Sequence, residues 1–128
     1  MMLLDTHAVI WLALEPHRLS RRSMDAIKQG VEEGLAISGQ SLYEAAWLIA
    51  RGRVIAHEPL QDFLRAMAIR FDVRPLTVEV AAAAAQLPPA FPSDPFDRII
   101  AATAIVEGVP LITADERIRN SGAVRTIW

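Results

Sequence analysis

With 128 residues, of which 52% are hydrophobic and 22% charged, the chain has material for one core and not for two, and its composition is that of an ordinary globular domain. It contains no cysteine, which excludes disulfides, thiolate metal sites and a cysteine nucleophile and fits a reducing compartment. A net charge of −2 argues against a protein held on nucleic acid by bulk electrostatics, although 12 of the 13 basic residues are arginine, whose planar fork grips phosphate or carboxylate through two parallel bonds.

Five short apolar runs alternate with helix-like stretches, the pattern of a parallel sheet covered by helices on both faces. The first strand is expected near Met2–Leu4. It runs directly into Asp5 and His7 without the basic and apolar regions of a secretory signal. A helix follows over Ser20–Glu33, begun by the Ser20 cap and stopped at Gly34, and then a strand near Leu35–Ser38. Ser41–Ala50 places Leu42, Ala45, Ala46 and Ile49 on one stripe and stops at Gly52. Pro59 opens a third helix with Leu60, Phe63, Leu64 and Met67 at helical spacing, before a strand near Val73–Leu76. Thr77–Leu87 is an alanine-rich fourth helix ended by Pro88 and Pro89, and Asp94–Glu107 a fifth, stopped by Gly108. Strands near Leu111–Thr113 and Val124–Ile127 complete a doubly wound α/β domain, a three-layer sandwich on a mainly parallel sheet of about five short strands. The apolar runs Val80–Ala85 and Ile99–Val106 fall far short of the roughly 20 residues of a membrane span, so no membrane association and a cytoplasmic location are expected.

Open parallel sheets bind ligands outside the carboxyl ends of their strands, and four acids fall there. Asp5 follows the first strand, Glu44 lies in the expected first turn of the helix after the second, Asp97 in the first turn of the fifth helix, and Asp115 just past the fourth strand. Carboxylates gathered from distant segments repel one another and raise one another's pKa, so a cation is needed to hold them cheaply, with Mg2+ or Mn2+ the natural choice. Two of the four also have a purely structural use. Asp94, Pro95 and Asp97 fit the N-cap, N1 and N3 positions of a helix, and Asp115 fits a cap for Glu116–Arg119. Asp5 and Glu44 stand among apolar neighbours and are harder to explain that way. Thr6 and Thr113 place hydroxyls beside Asp5 and Asp115, where they can cap a helix or orient a carboxylate or a metal-bound water. His7, His17 and His57 lack metal-ligand spacing. Arg98, Arg117 and Arg119, near Asp97 and Asp115 in sequence, are candidates for substrate phosphates.

Taken together these segments resemble the PIN-domain ribonucleases, in particular the VapC-type toxins of bacterial toxin-antitoxin modules. Leu3-Leu4-Asp5-Thr6-His7 with Trp11 is similar to that group's opening motif, Arg18-Leu19-Ser20 to its next landmark, and Ser41-Leu42-Tyr43-Glu44 to its second acidic motif. Asp94-Pro95-Phe96-Asp97-Arg98 with Ala101-Ala102-Thr103-Ala104 is similar to the third, and Leu111-Ile112-Thr113-Ala114-Asp115 to the fourth. The likeness covers nearly the whole chain, as a single PIN domain over residues 1–128. It implies a metal-dependent endoribonuclease whose metal-binding acids are Asp5, Glu44, Asp97 and Asp115, with Asp94 accessory, acting on RNA and partnered by a cognate antitoxin. One departure is visible: many relatives carry a histidine shortly before the Asp-Pro-Phe-Asp segment, where this chain has Phe91-Pro92-Ser93.

Three other readings compete. A phosphoacceptor receiver domain needs a pocket lysine, and Lys28, the one lysine, lies in a polar helix far from any strand end. A haloacid-dehalogenase-type phosphatase wants a second Asp two residues after Asp5, where His7 stands. A PIN-like module kept only for protein binding would be expected to lose acids, and all four are present. Finally, so high an apolar fraction in a small domain leaves hydrophobic side chains at the surface, and a homodimer is expected.

Overall fold

A computed structural model describes residues 1–128. Five strands, β1 (Met2–Leu4), β2 (Leu35–Ser38), β3 (Asp72–Arg74), β4 (Leu111–Ile112) and β5 (Thr126–Ile127), form one sheet in the order β3-β2-β1-β4-β5. Every pairing is parallel. Seven α-helices connect them: α1 (Thr6–Leu14), α2 (Arg21–Glu33), α3 (Gly39–Ala50), α4 (Leu60–Arg70), α5 (Val78–Ala85), α6 (Pro95–Glu107) and α7 (Glu116–Asn120).

Alternation along the strands creates the three layers, because successive side chains leave opposite faces of a sheet. Met2, Leu4, Ile37 and Ile112 enter one core with α1, α2, α3 and α4, which contribute among others Ile10, Ile27, Ala45 and Phe63. Leu3, Ala36 and Leu111 enter the other, with Ile100, Ala101 and Ala104 of α6, Ile118 of α7 and Phe91. Leu3, Leu4, Ile37, Leu111 and Ile112 are wholly buried, each stabilising the fold by about 1.5–3 kcal/mol. Helix α5 packs on α6 through Val80, Ala84 and Ala102. The order of strands reverses between β1 and β4, so the crevice outside their carboxyl ends is where such a sheet binds ligands.

The expected helix boundaries at Ser20, Gly34, Asp94 and Gly108 are observed. Ser20 and Asp94 accept hydrogen bonds from first-turn amides, and Gly108 closes α6 in the left-handed conformation at φ 68°. Several elements differ from expectation. Strand β3 begins at Asp72 and ends at Arg74, and β4 and β5 are two residues each. Helix α3 starts at Gly39, not Ser41, because the Ser38 hydroxyl accepts from the Gln40 amide and caps it there. Glu44 is therefore in the second turn of α3. The residues of α3 that are fully covered are Ser41, Ala45 and Leu48, a stripe rotated from the expected one.

Candidate active site

Asp5 sits at the end of β1 and caps α1, with its Oδ1 accepting from the Thr6 amide at 2.8 Å. Its Oδ2 accepts from the Thr113 hydroxyl, 108 residues away, at 2.7 Å. The same Thr113 oxygen accepts from the Asp115 amide at 3.1 Å, so one buried threonine positions the acid after β1 and the backbone after β4 together. Thr6 in turn donates through its hydroxyl to Ser41 Oγ at 2.9 Å, joining the N-terminal ends of α1 and α3. Asp5, Thr6, Ser41 and Thr113 are all buried.

Glu44 reaches the crevice from α3. Its Oε1 is buried and has no hydrogen-bond partner, an arrangement that costs desolvation free energy unless a ligand answers it. Asp97 comes from the first turn of α6, a helix capped by Asp94, whose Oδ1 accepts from the amides of Phe96 at 2.8 Å and Asp97 at 3.2 Å. Asp115 caps α7 through Oδ1, accepting from the amides of Arg117 at 2.9 Å and Ile118 at 3.3 Å, which leaves Oδ2 for other partners.

The electrostatics show how closely these acids gather. Burial, with the negative charges of Asp5, Asp94, Asp115 and Glu44 added to it, pushes the Asp97 carboxyl up to about 7. Burial also raises Asp5, against the opposing hydrogen bond from Thr113, and raises Glu44. The carboxyls share a field without closing on a point, since no three acidic or histidine side chains are arranged to hold an ion.

The PIN-domain family model matches residues 2–123. The chain belongs to the PIN-domain family. It is 40% identical to ribonuclease VapC22 of Mycobacterium tuberculosis, over 98% of this chain and 97% of that protein. Among solved structures, the DNA-bound VapBC of Salmonella typhimurium superposes with a TM-score of 0.75 at 18% identity, covering 98% of this chain and 95% of that one. VapBC2 of Rickettsia felis, bound to a promoter DNA fragment, gives 0.74 at 17% identity, covering 98% and 96%.

In this PIN domain, then, Asp5, Glu44, Asp97 and Asp115 come together with Asp94 at the rim and with Thr6 and Thr113 beneath. The arginines divide. Arg117 is exposed, its guanidinium 3.6 Å from Asp115 Oδ2, and Arg119 is exposed on the same short helix. Arg98 corrects the expectation that it faces the site. Its guanidinium donates to the carbonyls of Ala84 at 3.2 Å and of Leu87 and Pro88 at 3.5 Å, and lies 5.8 Å from the Phe91 ring. It closes the end of α5, while the adjacent Asp97 faces the acids. Neighbours on a helix point in different directions, so proximity in sequence misled. Phe91, in the segment before Asp94, is buried in the core between the sheet and α6.

Ser41 was absent from the sequence-based candidates. A serine just after a strand reads as a helix cap, and only the fold shows it inside α3 holding Thr6. A groove of about 970 Å3 leads away from the acids between α1, α3 and the segment after α3, with Glu44 and Asp94 at one end.

Proposed function

We propose that the protein is a divalent-metal-dependent endoribonuclease, the toxin of a bacterial toxin-antitoxin pair, acting as a single PIN domain over residues 1–128. The observation that carries this reading is the convergence of acids from separate chain segments on Asp97, whose carboxyl is held up to about 7. Structural carboxylates are ordinarily paired with cations or hydrogen-bonded. Asp5 and Asp115 do accept hydrogen bonds, but Asp97 is raised by four neighbouring negative charges, and Glu44 Oε1 is buried without a hydrogen-bond partner.

An all-oxygen carboxylate donor set suits a hard cation, so the residues fit Mg2+, with Mn2+ as a substitute. Asp5, Glu44, Asp97 and Asp115 would hold it. Held there, such an ion would supply an activated water and would neutralise charge on the scissile phosphate. The chain's own part is positional. The Thr6 amide and Thr113 hydroxyl fix both oxygens of Asp5, and such outer partners set a ligand's orientation. Asp94 holds the start of α6, and so Asp97, in place. Arg117 and Arg119 on α7 offer exposed guanidinium donors to substrate phosphates. A cognate antitoxin completes the proposal, supported by the relative named a ribonuclease and by the VapBC complexes that share the fold, and with it go a homodimeric assembly and a cytoplasmic setting.

The test is incubation of the purified protein with a mixed RNA panel in Mg2+, Mn2+ or EDTA. Internal cleavage with either metal and none in EDTA is expected. Cleavage at full rate in EDTA, with contaminating nuclease excluded, would contradict the metal mechanism.

A further inference from the structure

The groove that opens from the acidic crevice has a charge pattern of its own. Helices α1 and α3 leave the crevice side by side, tied at their N-terminal ends by the Thr6–Ser41 bond. At about 1.5 Å per residue, Trp11 stands roughly 9 Å along the chain direction from Asp5, and Trp47 roughly 4.5 Å beyond Glu44. Just past each tryptophan comes an arginine that lies on it. The Arg18 guanidinium is 4.4 Å from the Trp11 ring centroid, and those of Arg51 and Arg53 are 4.7 and 5.3 Å from that of Trp47. Trp11, Arg18, Trp47 and Arg53 all line the groove, with His57 beside them. The lining acids are Glu44 and Asp94 at the crevice end and Glu15, which is 3.5 Å from Arg18.

A groove with carboxylates at one end and ring-supported arginines at the other is complementary to a chain that carries both phosphates and flat aromatic bases. Stacking on an indole orders a guanidinium before any ligand arrives, which lowers the entropy lost when it grips a phosphate. Bases unstacked from a duplex stack on aromatic side chains whatever their sequence, and the half-buried Trp11 and Trp47 each present part of a ring to the groove. Glu44 and Asp94 line the groove itself, so a strand with one phosphate at the crevice can extend along it.

We propose that this groove is the track for the single-stranded RNA segment beside the scissile phosphate, with Arg18 and Arg53 as phosphate clamps held on Trp11 and Trp47. The proposal rests on reading the acidic crevice as the hydrolytic centre, and binding and cleavage separate the two.

Binding is measured by fluorescence anisotropy of a labelled 12-nucleotide mixed-sequence RNA in EDTA, as a single strand and as a blunt duplex. The proteins are the parent, Arg18→Ala, Arg53→Ala, Trp47→Leu, Trp47→Phe, and Arg22→Ala as an exposed charge change on α2. The parent should prefer the single strand. Arg18→Ala and Arg53→Ala should each weaken binding roughly tenfold and reduce the salt slope by about one. Trp47→Phe should keep most of the affinity that Trp47→Leu loses. Thermal unfolding shows whether each variant is folded, and the two surface arginine variants decide the matter if Trp47→Leu is not. Arginine variants that bind like Arg22→Ala, equal affinity for duplex, or no binding by the parent would each overturn the track. With Mg2+ present, the arginine variants should raise KM more than they lower kcat. Cleavage with unmoved KM would overturn the track, leave the enzyme intact and assign the groove to a protein partner. Groove-dependent binding with no cleavage of any RNA would uphold the track and remove the hydrolytic reading.

Discussion

The same two strands build two regions of opposite character. Through Leu4 and Ile112 they are wholly buried hydrocarbon, packed on Ile10, Ile27 and Phe63. One residue further on, at Asp5 and Thr113, the chain remains buried but becomes polar, and carboxyls accumulate whose pKa values burial and neighbouring charges push upward. The first region lowers the free energy of the fold. The second raises it, a cost that natural proteins carry where a ligand or reaction needs it. Changes in the two regions should accordingly separate stability from activity.

The sharpest separation is expected from Asp5→Asn. Replacing an outer partner of a metal ligand typically costs about 10–100-fold, and loss of the ligand itself should exceed that in kcat/KM for RNA cleavage while the protein stays folded. The converse is Phe63→Ala in the core over α4, where Phe63 is 3% exposed. It should lose about 3–5 kcal/mol in denaturant unfolding, with kcat per folded molecule unchanged. Activity loss from Phe63→Ala without a stability loss would break the distinction.

The pH dependence of the metal-free protein should show the crevice directly. Asp97 rises from 3.8 to about 7 on folding, and Asp5 and Glu44 are also raised. In that window the folded state holds more protons than the unfolded one, so stability must fall as pH rises. Melting temperature in EDTA should drop by several degrees between pH 5 and pH 8, and this slope should flatten in Asp97→Asn. A smaller effect is expected at Arg98. Removing its bonds to the end of α5 in Arg98→Ala should cost about 0.5–1.5 kcal/mol and leave the affinity for RNA unchanged, in contrast to Arg117→Ala and Arg119→Ala, whose binding should weaken.

How far these regions can be read from sequence follows the same division. The parallel sheet, the caps and the acids at strand ends were legible because Ser20, Asp94, Gly34 and Gly108 carry local signals and each acid interrupts an apolar run. Helix α1 was not anticipated, since Thr6–Leu14 is almost uniformly hydrophobic and has no stripe to betray its period. The start of α3 was placed two residues late because Gly39 conceals a helix that the Ser38 hydroxyl begins. The contacts that organise the site, Thr113 to Asp5 and Thr6 to Ser41, join residues 108 and 35 positions apart, and no spacing rule spans such separations. Arg98 was misplaced for the opposite reason. Its short sequence distance to Asp97 carried no information about direction.

The central claim is that repulsion among the acids is stored for a cation, and melting of the parent and Asp97→Asn with and without Mg2+ tests it most directly. A ligand that binds only the native state raises its melting temperature. In EDTA at pH 8, Asp97→Asn should be as stable as the parent or more so, because a repelled charge is gone. Mg2+ should stabilise the parent strongly and the variant little, while RNA cleavage by the variant collapses. A variant that is destabilised in EDTA, gains as much from Mg2+ as the parent and still cuts RNA would contradict the claim, leaving Asp97 as a helix-start acid worth about 0.3–1 kcal/mol.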